Sequence, residues 1–207
     1  MGSKKVSRQL LKRLPIYLNH LKSLPNDSEN ISATAIAKAL GLGDVQVRKD
    51  LAKISQTGRR RTGRSREQLI QDIETYLDFA TETGAVVVGA GKLGQALLDY
   101  SGFEKLGLNI MAGFDVNPTH AQSIAGKPIY SMGHLESFCK GNDVDIGIIT
   151  VPAESAQAVC NDLIACGIHA IWNFAPIQLS VPDHVMVQTE NLAVSLTSLQ
   201  IRFRNQQ

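Results

Sequence analysis

Residues 85–94 read AVVVGAGKLG, a short apolar run that leads directly into a glycine-rich loop. The run predicts a buried strand, and the residues after the loop predict a helix through Tyr100. Gly89 permits a tight turn, Gly91 lets the backbone approach a pyrophosphate, and Gly94 allows the helix to pack closely on the strand. Because the N-terminus of that helix would face an anion, the segment predicts a dinucleotide-binding unit.

A second predicted strand, residues 108–114, ends at Asp115, about twenty residues beyond the glycine loop. A carboxylate in this place binds the hydroxyl groups of a ribose and would repel a 2′-phosphate. Residues 116–119 contain no arginine that would accept such a phosphate. The pattern therefore predicts NAD, as NADH and NAD⁺, rather than NADP. The alternative is a glycine-rich turn without a ligand beside a surface aspartate.

Strand and helix patterns alternate through the rest of this half. Apolar runs predict strands at residues 127–130, 145–151 and 170–173, and a helix at residues 154–166. This alternation predicts an α/β domain with a Rossmann-type, doubly wound parallel sheet, which binds ligands at the carboxyl ends of its strands. The predicted cofactor-binding residues are Gly89, Gly91, Lys92, Leu93, Gly94, Gln95, Ala96, Tyr100, Asp115, Thr150, Pro152, Asn173 and Phe174.

Charge is divided unevenly along the chain, whose formal net charge is only +2. Residues 1–66 hold fifteen Lys and Arg against four Asp and Glu, whereas residues 67–207 hold six against fifteen. A basic module joined to an acidic one indicates that the first meets a polyanion and the second does not. The basic module is therefore the candidate for nucleic-acid binding, and a solvated basic face is the alternative.

A helix-turn-helix pattern lies inside the basic module. Ser32 is a good N-cap for a helix over residues 33–40, and Gly41 supplies its stop. After a short turn, Asp44 is the expected cap of the next helix, which extends through residues 45–54. Two helices joined by a short turn that contains glycine predict a helix-turn-helix.

Two further helices flank this motif. Apolar residues at helical spacing predict one over residues 6–21, with Pro15 as a kink or the mark of an early turn. Ser65 and Gln68 form a capping-box pattern that opens a linker helix, for which Gly84 is the expected stop.

The second helix of the motif is expected to present a basic face. Val47 and Leu51 point inward at helical spacing, which leaves Arg48, Lys49 and Lys53 outside. Arg48 and Lys49 can read guanine edges or hold phosphates, and the sequence leaves both roles open.

An arginine run flanked by glycines follows at residues 55–64 and has no apolar period. It predicts a wing that reaches phosphates and the minor groove while the preceding helix enters the major groove. Asp50, beside these cations, is expected to be a structural ion-pair partner rather than a base reader. The predicted DNA-binding residues are Gln46, Arg48, Lys49, Lys53, Arg59, Arg60, Arg61 and Arg64.

Several classes of function lack their usual signals. The longest apolar runs are far shorter than the roughly 18 to 20 residues of a membrane span, and residues 1–5 lack the apolar core of a signal peptide. The three cysteines and five histidines show neither metal-ligand spacing nor a catalytic pair. We therefore expect a cytoplasmic protein without a metal that is a nucleotide sensor rather than an enzyme.

These signals divide the chain into three parts. Residues 1–83 are predicted to be a winged-helix DNA-binding domain, residues 84–190 a nucleotide-binding domain, and residues 191–207 an amphipathic dimerisation helix. That helix can cover its own sheet or a partner's. Since helix-turn-helix proteins commonly bind two half-sites, we expect a homodimer on inverted-repeat double-stranded DNA.

With these residues located, the chain resembles the Rex family of redox-sensing transcriptional repressors from end to end. The resemblance implies a homodimer that binds NADH and NAD⁺ and leaves operator DNA when NADH binds, with its C-terminal helix swapped into the partner subunit. The matching stretches are VQVRKDL at 45–51, GAGKLG at 89–94, DYSGF at 99–103, FDV at 114–116, IITVPAE at 148–154 and NFAP at 173–176.

Some positions depart from the family pattern. Asn19 and Asn191 stand where Rex proteins resemble one another in an arginine and an aspartate that pair across subunits, and Arg64 stands in place of a tyrosine. Tyr100, a switch residue in the family, is retained. One alternative is a Rex-like paralogue that binds NAD(H) as an interaction protein, with weak or no redox-switched DNA binding. Another is a small NAD-dependent oxidoreductase, which the missing catalytic pairs disfavour.

Overall fold

The chain divides into two compact units, residues 1–81 and residues 82–207. The computed structural model describes residues 7–25, 30–55, 64–77 and 82–206. Within these ranges, no helix is both long enough and apolar enough to cross a membrane.

The described part of the N-terminal unit contains four helices and a two-stranded ladder. The helices are α1 (Arg8–Ser23), α2 (Ala33–Leu40), α3 (Asp44–Ile54) and α4 (Arg66–Leu77). The ladder pairs β1 (Asn30–Ile31) antiparallel with β2 (Arg64–Ser65). Apolar side chains at the predicted helical spacing are buried, as amphipathic helices require; they include Leu14, Leu18, Val47, Leu51 and Leu69. The helix-turn-helix of α2 and α3 is therefore present.

The ends of α2 and α3 follow local signals, with one correction. The hydroxyl of Ser32 accepts a hydrogen bond from a backbone N–H of α2 at 3.0 Å, and Gly41 ends that helix with a left-handed φ of 63°. The predicted cap at Asp44 is wrong, because Gly43 occupies the cap position and α3 begins at Asp44. The Asp44 carboxylate instead accepts a hydrogen bond from the hydroxyl of Thr34 at 2.9 Å.

The structure confirms some of the other predicted helix signals and contradicts others. Pro15 lies inside α1, so it marks no early turn. The backbone N–H of Gln68 donates to Ser65 Oγ at 3.3 Å, as the capping-box pattern predicts. The predicted stop at Gly84 is wrong, because this glycine lies within a strand, where a Cβ would collide with the backbone carbonyl oxygen of Asp143.

The C-terminal unit is built on a six-stranded parallel sheet. Its strands lie in the order β5-β4-β3-β6-β7-β8, and every neighbouring pair is parallel. Strand order reverses beside β3, where doubly wound sheets bind their ligands. The predicted fold class is therefore confirmed. The strands are β3 (Thr83–Val88), β4 (Leu108–Asp115), β5 (Ile129–Ser131), β6 (Ile146–Ile149), β7 (Ala170–Asn173) and β8 (Met186–Thr189).

Side chains of the central strand alternate between two apolar cores. Val86 and Val88 pack on one face of the sheet with Phe114, and Ala85 and Val87 pack on the other. Because helices cover both faces, the strand reads as one continuous apolar run. The helices of this unit are α5 (Lys92–Leu98), α6 (Leu135–Gly141), α7 (Ala153–Ala165) and α8 (Leu192–Arg204), with short 3₁₀ turns at Glu104–Leu106 and Met132–His134.

Two elements, α6 and β8, were not predicted from the apolar patterns of the sequence. Leu135 is the one buried residue of α6, so its apolar period is weak. β8 is an edge strand with mostly exposed residues, and its sequence MVQT carries no long apolar run.

The last helix, α8, leaves its apolar stripe uncovered. The side chains of Leu192, Leu196, Leu199 and Phe203 are between 59% and 68% exposed, and α8 has no buried residue. Asn191 caps the helix, because its Oδ1 accepts a hydrogen bond from a first-turn backbone N–H at 3.0 Å. The prediction left open whether this helix covers its own sheet or a partner's, and the first of these is therefore wrong.

Candidate functional site

The glycine loop lies at the carboxyl end of β3 and leads into α5. Gly89 has a left-handed φ of +100°, and a Cβ there would press on Thr150 and Val151. A Cβ at Gly94 would collide with the Gly89 carbonyl oxygen, so α5 packs directly on the loop. The tight turn and close packing predicted for these glycines are present. The space beside Gly91 is open among the described residues, and its contact with a phosphate stays a prediction.

Asp115 points its carboxylate at the glycine loop. One oxygen, Oδ2, accepts a hydrogen bond from the backbone N–H of Ala90 at 2.7 Å, and Oδ1 accepts from that of Asn117 at 2.9 Å. Across the loop, the hydroxyl of Thr150 donates to the Gly89 carbonyl oxygen at 2.7 Å. Three strand ends therefore hold the loop and the acidic side chain in one place.

A cavity of about 220 Å³ opens beside this loop. It brings together five of the predicted cofactor residues, namely Gly89, Gly91, Asp115, Thr150 and Pro152. The cavity is also lined by residues that were not predicted, namely Val88, Val116, Met132, Val151, Ser155 and Val159. Val116 could have been found because it directly follows the acidic residue, whereas Met132 belongs to a 3₁₀ turn that the sequence did not indicate.

The remaining predicted residues of α5 lie directly after the loop. Lys92, Leu93, Gln95 and Ala96 form the first turns of the helix and do not line the cavity. Gln95 Nε2 donates to the carbonyl oxygen of Ala90 at 2.9 Å, so this side chain braces the loop from within. A cofactor contact by these four residues stays a prediction.

Three predicted residues are engaged elsewhere. Asn173 is fully buried, and its amide nitrogen donates to two backbone carbonyls of the following turn at 3.1 and 3.0 Å. The ring of Phe174 lies 4.5 Å from that of Trp172. Tyr100 is 60% exposed, with its ring 4.9 Å from that of Phe103. The structure therefore gives Asn173 a fixed structural role and leaves Tyr100 accessible.

The cavity and loop fit a dinucleotide. The open space at Gly91 is a cradle that any larger side chain would fill, as a pyrophosphate site requires. Asp115 lines the same cavity, where a ribose hydroxyl can donate to its carboxylate. Apolar side chains, including Val116, Met132 and Val159, provide the walls that a planar base needs.

In the N-terminal unit, α3 presents polar and basic side chains to solvent. Arg48, Lys49 and Lys53 are exposed, as predicted. Arg48 is partly engaged, since its guanidinium contacts the Asp44 carboxylate at 2.8 Å and the Thr34 hydroxyl at 3.3 Å. The Arg48 side chain is exposed and the Asp44 side chain is only partly buried, so this ion pair contributes little and leaves Arg48 available for DNA.

Asp50, also on α3, is 1% exposed and lies in a closed network. Arg13 donates to its carboxylate through two nitrogens at 2.6 and 3.0 Å, and the hydroxyl of Tyr17 donates at 2.8 Å. Gln46 adds a fourth hydrogen bond from Nε2 at 2.8 Å. The predicted ion-pair role of Asp50 is confirmed. Its partners on α1 were missed, because no local pattern links residues 37 positions apart.

The network sets the charge of its members. Burial raises the pKa of the Asp50 carboxyl, but the hydrogen bonds from Arg13, Tyr17 and Gln46 outweigh it, so the pKa lies below its ordinary value. Burial, followed by the hydrogen bond to Asp50, raises the pKa of Tyr17 to about 12. At neutral pH the network therefore holds an ionised carboxylate, a guanidinium and a neutral phenol.

The predicted wing is described only at its end. Arg59, Arg60 and Arg61 lie outside the described residues, and Arg64 pairs with Ile31 in the β1–β2 ladder. The Nε atom of Arg64 is buried and has no hydrogen-bond partner among the described residues.

Two family models match the chain, one in each unit. A model described as "CoA binding domain" matches residues 80–177, which include the glycine loop and Asp115. A model described as "Putative DNA-binding protein N-terminus" matches residues 5–52, which include α1, α2 and most of α3.

Curated relatives extend the match over nearly the whole chain. The redox-sensing transcriptional repressor Rex of Porphyromonas gingivalis is 40% identical over 203 residues, covering 97% of this chain and 93% of the relative. The repressor of the same name from Clostridium botulinum, strain Alaska E43, is 40% identical over 199 residues and covers 95% of each chain.

Two solved structures also match nearly the whole chain. The crystal structure of RSP in complex with β-NAD⁺ and operator DNA matches with a TM-score of 0.87 and 33% identity, covering 99% of this chain and 95% of RSP. RSP in complex with β-NADH matches with a TM-score of 0.81 at the same identity, covering 99% and 97% of the two chains.

Proposed function

The chain belongs to the Rex family of redox-sensing transcriptional repressors, and from this premise we propose that it binds operator DNA as a homodimer and is released when NADH binds. The observation that carries the proposal is the joint presence of two sites: a glycine loop with an acidic residue beside a cavity, and a helix-turn-helix with a basic outer face.

The nucleotide half of the function rests on the loop after β3. Gly89, Gly91 and Gly94 shape the pyrophosphate cradle, and Asp115 accepts from the ribose and disfavours a 2′-phosphate. The bound nicotinamide can exist as NADH or NAD⁺, and this redox state is the signal. The nucleotide acts as an effector rather than as a reactant, in keeping with the redox-sensing repressors to which the chain is related.

The DNA half rests on α3. Its exposed residues Arg48, Lys49 and Lys53 contact the major groove and its phosphates, and the predicted arginines at positions 59–61 and 64 add contacts beyond the helix. Two copies are needed for the two half-sites of an inverted repeat. The exposed apolar stripe of α8 packs against the partner subunit, in line with a swapped helix. Operator DNA lies in the cytoplasm, where the repressor acts.

Redox control requires that the dimer has two states with different affinity for NADH. A ligand that binds both states equally shifts nothing, so NADH must favour the state that binds DNA weakly. By linkage, operator DNA then lowers the affinity for NADH by the same factor.

The test is fluorescence anisotropy of a labelled duplex that carries the operator crystallised with RSP, with a scrambled duplex as control. Salt is fixed near physiological ionic strength, because a strongly basic module binds any DNA at low salt. Tight binding of the operator duplex that NADH releases and NAD⁺ does not supports the proposal. Specific binding that NADH leaves unchanged, or equal binding to both duplexes, contradicts it.

A further inference from the structure

Helix α3 carries a glutamine whose side chain is already held by a buried carboxylate. Gln46 Nε2 donates to Asp50 Oδ1 at 2.8 Å, one helical turn further along. Gln46 itself stays exposed and lies in the first turn of α3. That end of the second helix is where helix-turn-helix proteins contact base edges.

Asp50 is a fixed anchor for this contact. Arg13 and Tyr17, both on α1, hold its carboxylate with three hydrogen bonds between 2.6 and 3.0 Å. The Asp50 side chain is 1% exposed, and Tyr17 is fully buried. Gln46 is therefore tied, through Asp50, to the packed interior of the N-terminal unit.

The orientation of the Gln46 amide follows from the chemistry of its partner. An ionised carboxylate only accepts hydrogen bonds, so the amide nitrogen, and not its oxygen, must face Asp50. One hydrogen of the amide nitrogen is then used. When Asp50 takes the hydrogen trans to Oε1, the other hydrogen and Oε1 share one edge of the planar amide and remain available.

This pair of groups matches one base edge. In the major groove, adenine presents the N7 acceptor beside the N6 donor, which suits a neighbouring amide donor and acceptor. Guanine presents two acceptors there, so the oxygen of the anchored amide would face another acceptor. Without Asp50 the amide can turn over, and this discrimination is lost.

We propose that Gln46 reads an adenine in the major groove of each half-site, and that Asp50 is the positioning residue that orients its amide. The inference rests on the proposed function, because α3 must enter a major groove for Gln46 to reach a base.

The first experiment is in vitro selection from a duplex library with a randomised centre, using the full chain at one fixed, near-physiological salt concentration. The wild type is expected to enrich an adenine at one position of each half-site. The variant Gln46→Ala should lose the preference at that position and keep the preferences at the others.

A second experiment identifies the atoms involved. Replacing that adenine by 7-deazaadenine removes the N7 acceptor and should weaken wild-type binding by about 2- to 12-fold, the loss of one hydrogen bond. Replacing the A·T pair by G·C should weaken it by about 5- to 150-fold. Both replacements should leave the affinity of Gln46→Ala nearly unchanged.

A matched control exists on another helix of the same unit. Gln68 Nε2 donates to Asp72 Oδ1 at 3.0 Å, also from one glutamine to an aspartate four residues on. Gln68→Ala should keep every base preference of the wild type.

The role of Asp50 is tested by Asp50→Asn and by Tyr17→Phe, which keeps the buried ring and removes one hydrogen bond. Each should relax the preference at the adenine more than at other positions. A merely structural role would instead lower affinity for all sequences equally, with no change in preference.

The outcomes separate the inference from the function beneath it. If the wild type enriches no sequence, the proposed function and this inference both fail. If the wild type enriches a site and Gln46→Ala enriches the same adenine, the inference fails and the proposed function stands.

Discussion

The glycine loop of residues 89–94 and the DNA-facing side of α3 are both predicted binding surfaces, yet they are built differently. The loop is a backbone site, whose shape follows from which positions lack a Cβ. The α3 surface depends on side chains, and its anchor, Asp50, is held by Arg13 from 37 residues away. A site of the first kind can be identified from a local sequence pattern, whereas a site of the second kind requires the tertiary structure.

The largest effect is expected at Gly94, where the backbone of α5 packs directly against the backbone of the glycine loop. Gly94→Val places side-chain atoms against the Gly89 carbonyl oxygen, which cannot move without breaking the turn. We expect the C-terminal unit to lose about 3 kcal/mol of unfolding free energy and the chain to lose NADH binding. Thermal unfolding and a fluorescence titration with NADH measure both quantities.

Gly91→Ala separates folding from binding in the same loop. Its Cβ meets open space, so unfolding should be unchanged, while the filled cradle should still weaken NADH binding. If Gly94→Val binds NADH normally, the close approach of α5 to the loop is not what shapes the site.

The same contrast explains what the sequence could and could not predict. The strand at Val86 and Val88 and the glycine turn follow from residues a few positions apart. Asp115 follows from its place at the end of the next strand, about twenty residues beyond the loop, and the structure places all of them together. Gly84 was misread because a glycine that stops a helix and one that admits a distant carbonyl look alike in sequence. β8 was missed because an edge strand needs little apolar surface.

The next largest effect concerns the anchor of α3. Asp50→Asn removes the charge that Arg13 and Tyr17 satisfy, which should cost about 1.5 to 3 kcal/mol of unfolding free energy in the N-terminal unit. The NADH titration should not change. Hydrogen exchange of α1 and α3 amides, followed by mass spectrometry, measures the loss in that unit alone.

Acid should abolish the difference in unfolding free energy between the wild type and Asp50→Asn. Because the folded pKa of Asp50 lies below its ordinary value near 3.9, its contribution is fully present above that value. The contribution is lost as pH falls through the folded pKa. Asp183→Asn, a substitution of the same kind at an exposed position, is the control. A difference in unfolding free energy between the wild type and Asp50→Asn that persists undiminished in strong acid would contradict the role of the charge.

A smaller effect is expected for the ribose contact. Asp115→Asn keeps the side chain's shape and removes its charge, so NADH affinity should fall about tenfold, about 1.4 kcal/mol. The ratio of NADH affinity to NADPH affinity should fall as well, because removal of the charge also removes the repulsion of the 2′-phosphate of NADPH. Paired titrations with the two nucleotides measure this ratio.

The control for Asp115 is a carboxylate at the opposite end of the same sheet, directly before β6. Asp145 Oδ2 accepts a hydrogen bond from the backbone N–H of Gly84 at 3.3 Å, away from the loop. Asp145→Asn should leave both nucleotide affinities unchanged. An unaltered NADH to NADPH ratio in Asp115→Asn would show that the ribose is read by another group.

The smallest effect tests whether the glycine loop and the DNA-facing side of α3 are independent. Arg48→Ala should raise the Kd for operator DNA about fivefold, about 1 kcal/mol, and leave NADH affinity unchanged. Lys140→Ala is the control, since it also removes an exposed cation paired with a carboxylate four residues away. Anisotropy titrations over a range of salt concentrations measure the effect.

The salt dependence decides what Arg48 contacts. If Arg48 holds a phosphate, the variant should weaken binding to all sequences alike and lower the slope of log K against log salt by about one. If it reads a guanine, the loss should be confined to duplexes that carry that guanine, with a slope that changes less. Loss of NADH affinity along with DNA affinity would contradict the separation of the two surfaces, because no nucleotide contact has been assigned to α3.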